Sequence, residues 1–421
     1  MKDKIRDFFI KNNRFAYIWA MNFKWLYAGI SLLLCVGAAA QQPSSKASYV
    51  DPFIGTDGMG HTFPGACVPF GGVQLSPDTD TIPHNVNGKY QPRVYEYCAG
   101  YRYSDPTIVG FSHTHFSGTG HSDLGDILLM PTTGALKLNP GTSDNPDSGY
   151  RSRFSHDTEK ASAGYYEVTL DDYGVKAQLT ATTRVGVHKY SYPKGTDGQV
   201  ILDLIHGIYN YDGKTLWAEI QVQNDTLLTG YRITNGWART NYTYFAISFS
   251  QPISEYGYAD REKINYKGGW SKFDQYHNFP AMAGRKLVAW FKFATSKNPE
   301  LTVKVALSAT GAEGALKNLA AEASGKSFEE IASAASNAWE KELSQIEIQG
   351  TEGEKKMFYT SLYHTMINPS VYMDVDGKYR GLDHEIHQAD GFTNYTVFSL
   401  WDTYRAEHPF LALFKPDRDR D

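Results

Sequence analysis

From about Tyr49 to Ser308 apolar and polar residues alternate in short runs, each closed by turn-forming residues. Tyr165–Leu170, Val175–Ala181 and Val187–Tyr192 alternate in or near period two, and Trp217–Val222, Tyr244–Phe249, Val288–Phe293 and Leu301–Ala306 continue the pattern. A period of two sends successive side chains to opposite faces, as in a strand with one face in a core. Tyr173-Gly174, Asp197-Gly198, Asp212-Gly213, Asn235-Gly236 and Gly268-Gly269 supply the turns. Short strands at regular spacing, without helical interludes, predict a mainly β fold: a large antiparallel β-sandwich over residues 41–310.

The period then lengthens. Ser327 with Glu330, and Thr351 with Glu354, are capping boxes in which hydroxyl and carboxylate satisfy each other's backbone amides. The first opens a weakly amphipathic helix carrying Phe328, Ile331, Ala335, Ala338, Glu342 and Ile346, within a helical linker over residues 311–350. The second opens a helix carrying Phe358, Leu362 and Thr365-Met366 and ended by Pro369. A further helical run from Phe398 to His408 is interrupted at Pro409. Residues 351–421 thus read as the start of an α-domain, and the charged stretch 415–421 offers no natural domain ending. A helical layer cut short should leave apolar faces exposed at Phe358, Leu362, Phe398 and Phe410.

Residues 1–40 read as a signal peptide. A basic, aromatic leader precedes the apolar run Trp25–Gly37, and Ala38-Ala39-Ala40 supplies small residues for cleavage before Gln41. Met21 would also serve as a start, and a signal-anchor is the alternative to cleavage. Export to the periplasm or the medium follows, with surface association open and no stable membrane span after cleavage. Cys67 and Cys98 then remain, and they could pair or stay free and buried.

At 421 residues the chain accommodates two or three domains with sizeable cores. A formal net charge of -5 supplies no basic field for nucleic acid. Aromatic residues make up 14% of the chain, which suits sugar stacking and β-rich cores equally.

Four blocks carry candidate chemistry. The first, Val50 to Thr79, is dense in Gly and Pro, fitting specific turns or close backbone approach to a ligand. The second runs from Phe111 to Asp126 and crowds His113, His115, His121, Asp123 and Asp126 between two apolar strands. It suits sugar-hydroxyl binding or local structure. A metal site using His113 and His115 with Asp123 or Asp126 is the weaker reading, because His-x-His alone lacks supporting partners. In the third block, Asp374-Val375-Asp376-Gly377 hints at a calcium loop, but the further oxygens of an EF-hand are missing and a tight turn fits better. The fourth holds Trp401, Asp402 and Arg405 at helical i, i+3 and i, i+4 spacing. An indole, a carboxylate and a guanidinium on one face would suit a pyranose, its ring on Trp401 and its hydroxyls on the other two. A surface ion pair beside a core Trp fits equally.

In this order the blocks resemble glycoside hydrolase family 92, the exo-acting, calcium-dependent α-mannosidases, from about Val50 to Pro416. The motifs are Val50-Asp51-Pro52-Phe53-Ile54-Gly55-Thr56, Gly100-Tyr101-Arg102-Tyr103, Gly110 through Asp126, Gly164-Tyr165-Tyr166 and Phe398-Ser399-Leu400-Trp401-Asp402-Thr403. The resemblance implies a sandwich followed by the truncated start of an (α/α)6 barrel, and hydrolysis of terminal α-mannose in glycans, including N-glycans, with inversion. It places Trp401, Asp402 and Arg405 in the pocket for the terminal mannose, with the His113 and His115 loop as the sandwich's share of one joint cavity. Calcium would be the cofactor, with its ligands unassigned in this chain. Inversion needs an acid and a base roughly 6.5–9.5 Å apart. The resemblance places both beyond Asp421, so no catalytic residue is assigned to Asp383, Glu385, Asp390 or Asp402, and the chain alone is expected to be inactive. The segment from Ile82 to Tyr97 lacks the Trp of relatives that prefer α-1,2 linkages, which leaves the linkage open. A non-catalytic carbohydrate-binding sandwich is the alternative.

Overall fold

The computed structural model describes residues 45–80, 82, 85–261, 278–396 and 399–421. The proposed signal peptide, the Gly268-Gly269 turn and Phe398 lie outside the described residues.

Two antiparallel sheets stack face to face. One has seven strands, running from Ala66–Cys67 through Gln74–Asp78, Gly110–Ser112, Leu128–Thr133, Gly198–Asp203 and Leu287–Phe293 to Glu255–Asp260. The other has nine, in the order Ala281–Gly284, Thr215–Asn224, Leu227–Thr234, Asn241–Phe249, Glu300–Ser308, Val185–Ser191, Val175–Ala181, Tyr165–Leu170 and Lys160–Ser162. Every run read from period two is a strand, extended by one to three residues at some ends, except that Tyr192 falls one residue beyond its strand, Val185–Ser191. Their inward residues, among them Leu75, Phe111, Val168, Leu179, Ile201, Phe245, Phe291 and Val303, form the main core. Each such side chain contributes roughly 1.5–3 kcal/mol by leaving water.

The nine-stranded sheet is also covered on its outer face. Val185, Val187, Ala246 and Ala306 pack against Ala315 and Leu319 of helix Ala312–Glu322 and against Phe328 and Ile331 of helix Phe328–Leu343. Both capping boxes form, at Ser327 with Glu330 and at Thr351 with Glu354. The buried stripe of the longer helix is Phe328, Ile331, Ala335, Trp339 and Leu343. The expected Ala338 and Glu342 lie one residue off that stripe, because a Trp and a Leu are the apolar residues that reach the seam.

The Gly- and Pro-rich first block closes this seam. Glu340 accepts from the backbone amides of Lys46 and Ala47 at 3.1 and 2.9 Å, and the Trp339 indole donates to the Cys67 carbonyl at 2.7 Å. The Asp51 amide donates to Thr360 Oγ1 at 3.0 Å, and the Phe70 amide to the Met366 carbonyl at 2.7 Å. Tyr359, Leu362 and Tyr363 of helix Glu352–Thr365 are buried against this block. Leu362 is therefore not exposed as expected, and Phe358 and Phe410 are half-covered. Exposed apolar side chains in this half include Met357 on that helix, Leu382 after it and, further on, Leu400, Trp401, Tyr404, Leu413 and Phe414.

The last helical run is split. Helices Leu400–Thr403 and Glu407–Phe414 are separated at residues 404–406, and Pro409 lies inside the first turn of the second. No amide partner is lost there, since first-turn N–H groups have none within the helix. Cys67 and Cys98 are both free and buried, so they are not joined. Among the described residues no helix is long and apolar enough to cross a membrane.

Candidate functional site

The histidine loop leaves the seven-stranded sheet after Ser112 and returns at Leu128. Its two ends are stitched together. The His113 amide donates to the Asp126 carbonyl, the Gly125 amide to the Thr114 carbonyl, both at 2.9 Å, and the Thr114 hydroxyl to Asp126 Oδ2 at 2.8 Å. Leu124, Gly125 and Ile127 adopt φ of 72°, 78° and 58°. Positive φ is costly at Leu and Ile, so the surrounding bonds over-determine this turn.

His113 and His115 point inward, and both are buried. His113 Nδ1 lies 2.6 Å from the Ile127 carbonyl and its Nε2 lies 3.0 Å from Nε2 of His188, whose Nδ1 meets the Tyr190 hydroxyl at 2.8 Å. His115 Nδ1 faces the Gln74 carbonyl at 2.7 Å and its Nε2 faces Asp78 Oδ1 at 2.8 Å. His206 Nε2 takes Asp78 Oδ2 at 2.7 Å. Burial opposes charge on Asp78, but the His115 and His206 rings outweigh it and hold the carboxyl well below the usual range. Gly100 and Gly186 leave the space these rings need. A Cβ would meet Asp78 Oδ1 at 2.1 Å in the first case and His113 Cδ2 at 2.6 Å in the second.

The expectation that His113 and His115 bind sugar is corrected by this geometry. Every ring nitrogen is engaged by protein, and neither ring presents an atom to solvent. They fix the loop instead.

The loop's outer half behaves differently. Asp123 Oδ2 accepts from the Trp237 amide at 2.7 Å, and Oδ1 from the Leu124 amide at 2.9 Å and from the buried ammonium of Lys214. Arg232, also buried, pairs with Asp126 at 3.3 Å. His121 is half-buried, its ring 4.5 Å from that of Trp237. The exposed residues of this loop are Gly118 and Gly120, and the half-buried His121 beside them lines a cleft.

Trp401, Asp402 and Arg405 are exposed, Trp401 by 83%. The helix ends at Thr403, so Arg405 lies beyond it, its guanidinium 6.0 Å from the Tyr404 ring. Among the described residues no ion pair joins Asp402 to Arg405. Neither the cavity of about 320 Å3 around Arg151, Asp203 and His206 nor the cleft of about 560 Å3 around His121 and Trp237 is lined by His113, His115, Trp401, Asp402 or Arg405. The expected cavity shared by His115 and Asp402 is absent from both, because His115 is enclosed by the sandwich core.

Asp374 is a structural anchor. Its carboxylate accepts from Ser308 at 2.8 Å and Asn318 at 2.7 Å, and the turn behind it closes at Gly377 with φ of 81°. Among the described residues no group of three His, Cys, Asp or Glu side chains is arranged to hold a metal. Glu407 carries a carboxyl pushed up to about 7 by burial.

Residues 49–308 match the glycosyl hydrolase family 92 N-terminal domain, and residues 314–421 match the family's catalytic domain. A family GH92 α-mannosidase from Bacteroides thetaiotaomicron, solved with mannoimidazole, is 41% identical with a TM-score of 0.80, covering 89% of this chain and 47% of that one. A family GH92 inverting mannosidase from the same organism is 28% identical with a TM-score of 0.72, covering 89% of this chain and 46% of that one. An uncharacterized secreted glycosidase of Arthroderma benhamiae is 25% identical over 81% of this chain and 44% of its own length. The chain thus spans about half the length of these relatives. With both family domains matched in sequence and most of the chain matched in structure, this chain belongs to glycosyl hydrolase family 92.

Proposed function

We propose that the chain forms the sandwich and first helices of an exported, inverting exo-α-mannosidase that removes terminal α-mannose from glycans. The observation that carries this is the 41% identity, over most of the chain, to an α-mannosidase bound to mannoimidazole. Trp401, Asp402 and Arg405 would receive the terminal mannose once further helices surround them, the indole under the ring and the charged groups on its hydroxyls. Their exposure here is consistent with a face awaiting a cover. The acid, the base and the calcium ligands would come from residues beyond those of this chain, the two carboxyls standing roughly 6.5–9.5 Å apart to leave room for water. Export rests on the apolar leader at Trp25–Gly37 and on the secreted Arthroderma relative.

The test joins this chain to the remaining half of the Bacteroides relative and follows α-mannobiose hydrolysis with calcium by NMR. β-Mannose should be the first product, and the chain alone should release none. Release of α-mannose first, or no release from the joined enzyme, would refute the proposal. Sugar binding without turnover in the joined enzyme would favour a binding sandwich instead.

A further inference from the structure

The open side of the histidine loop is a cleft of about 560 Å3, within the range of small-ligand sites. His121, Tyr209, Tyr211 and Trp237 line it, with Asn85 and Asp212 at its polar margin. The rings form one connected set: His121 lies 4.5 Å from Trp237 and 6.0 Å from Tyr209, and Tyr209 lies 5.1 Å from Tyr211.

A single exposed aromatic on a surface means little. This one is held by buried machinery. Trp237 is 77% exposed, yet its backbone amide is fixed by Asp123, whose other oxygen is neutralised by buried Lys214. The Tyr211 hydroxyl donates to the Asn235 carbonyl at 2.7 Å, pinning the turn that presents the indole. Gly236 is required there, since a Cβ would lie 2.4 Å from Asp123 Oδ2. Lys214 Nζ also sits 5.7 Å from the Tyr209 ring centre. A buried ion pair is a costly way to hold a loop unless the loop's orientation matters. What it orients is an uncovered indole beside two phenols.

We propose that this cleft is a glycan subsite in which Trp237, Tyr209 and Tyr211 stack on pyranose rings of a mannose-containing oligosaccharide while Asn85 and Asp212 meet its hydroxyls and the half-buried His121 ring backs Trp237. Aromatic faces match the C–H faces of sugars, and the polar margin matches their edges. The identity of the sugar rests on the proposed function; the existence of the subsite rests on the cleft. Its lining is separate from Trp401, Asp402 and Arg405, so it would hold further sugars of an extended glycan.

The test measures binding of the whole chain to yeast α-mannan by affinity electrophoresis, with Trp237→Ala and, as a control outside the cleft, Trp217→Ala. Tryptophan oxidation followed by peptide mass spectrometry gives a second readout on the unaltered chain. Trp237→Ala should bind about tenfold more weakly, the loss of one stacked ring, and mannan should protect Trp237 from oxidation. Mannan binding that leaves Trp237 fully reactive and Trp237→Ala unimpaired would overturn the subsite and leave the proposed function standing. Protection of Trp237 by a β-glucan but by no mannoside would overturn the sugar assignment and count against the proposed function. A cleft that no glycan protects would overturn the subsite outright.

Discussion

Nε2 of His113 and Nε2 of His188 face each other at 3.0 Å inside the sandwich, and only one of them can carry the shared hydrogen. The accounting fixes which. His113 Nδ1 faces a carbonyl, so it donates, and its Nε2 must accept in the neutral ring. His188 Nε2 therefore donates, and its Nδ1 accepts from the Tyr190 hydroxyl. The chain runs in one direction, from Tyr190 through His188 and His113 to the Ile127 carbonyl, and every member is satisfied. A buried polar network of this kind rigidifies its surroundings, here the root of the histidine loop.

That network sets a pH dependence. Burial pushes His113 down to about 3 and holds His188 well below its ordinary value. Below about pH 6.5 an unfolded chain takes protons that the fold refuses. The contribution of these two rings should be full above that pH and fall steadily toward pH 3, by about 2 kcal/mol at pH 5 from His113 alone. Thermal melts from pH 8 to 4 check this. His188→Gln, which keeps a donor and an acceptor, should lower the stability at pH 8 but flatten the slope below 6.5. A parent melting temperature unchanged down to pH 4.5 would contradict the neutral-ring assignment.

Two glycines separate steric need from backbone need. Gly100 has φ of +77° and its Cβ would meet Asp78 Oδ1 at 2.1 Å, whereas Gly118 has φ of +73° with nothing within 4 Å. Gly118→Ala should cost about 1 kcal/mol, the strain of a left-handed residue. Gly100→Ala should cost about 3 kcal/mol or more, because it also disrupts a buried charge and its partners. Urea midpoints compare the two; equal losses would show that Asp78 moves aside freely.

The sandwich was legible because a half-buried strand writes its geometry in alternate residues, as Tyr165–Leu170 and Val175–Ala181 do. The caps were legible because Ser327 and Thr351 stand three residues from their Glu partners. The site was not. A crowd of polar residues between strands reads as a ligand site, but His113 and His115 satisfy carbonyls and a carboxylate supplied by Gln74, Asp78 and Ile127, which no local pattern announces. Conversely, the cleft gathers His121, the Tyr209–Tyr211 pair and Trp237 from three separate loops. The one local signal was the Asn235-Gly236 turn placing a Trp at its exit. Helix phase was lost by one residue at Trp339 because Ala338 matched the spacing equally well.

The thiols give an independent check on the seam. Burial pushes Cys67 up to about 12, and Cys98 is raised for the same reason. Thiolate, not thiol, attacks disulfide reagents. In the chain after removal of residues 1–40, Ellman's reagent should find no thiol in the folded protein and both on unfolding. Cys67 should become reactive first in Trp339→Phe, which loses the indole bond to the Cys67 carbonyl at a cost of about 1 kcal/mol. A thiol count of zero in denaturant would instead mean that the two are joined.

Glu407 opens helix Glu407–Phe414, where a negative charge normally helps by opposing the helix dipole. Burial works against that charge and pushes the carboxyl up to about 7. An unfolded carboxyl ionises near 4.3. The fold is therefore favoured by the protonated form, and that contribution is complete below about pH 4 and lost as pH rises through 7. Glu407→Gln, which keeps the shape without the charge, should leave the last helices better protected from amide exchange at pH 8. At pH 4 the parent and the variant should match. The readout belongs at the amides of Phe410 to Phe414, since their layer opens separately from the sandwich whenever local packing is the weaker of the two. Equal protection differences at pH 4 and pH 8 would show that the substitution acts through packing and that Glu407 carries no buried charge.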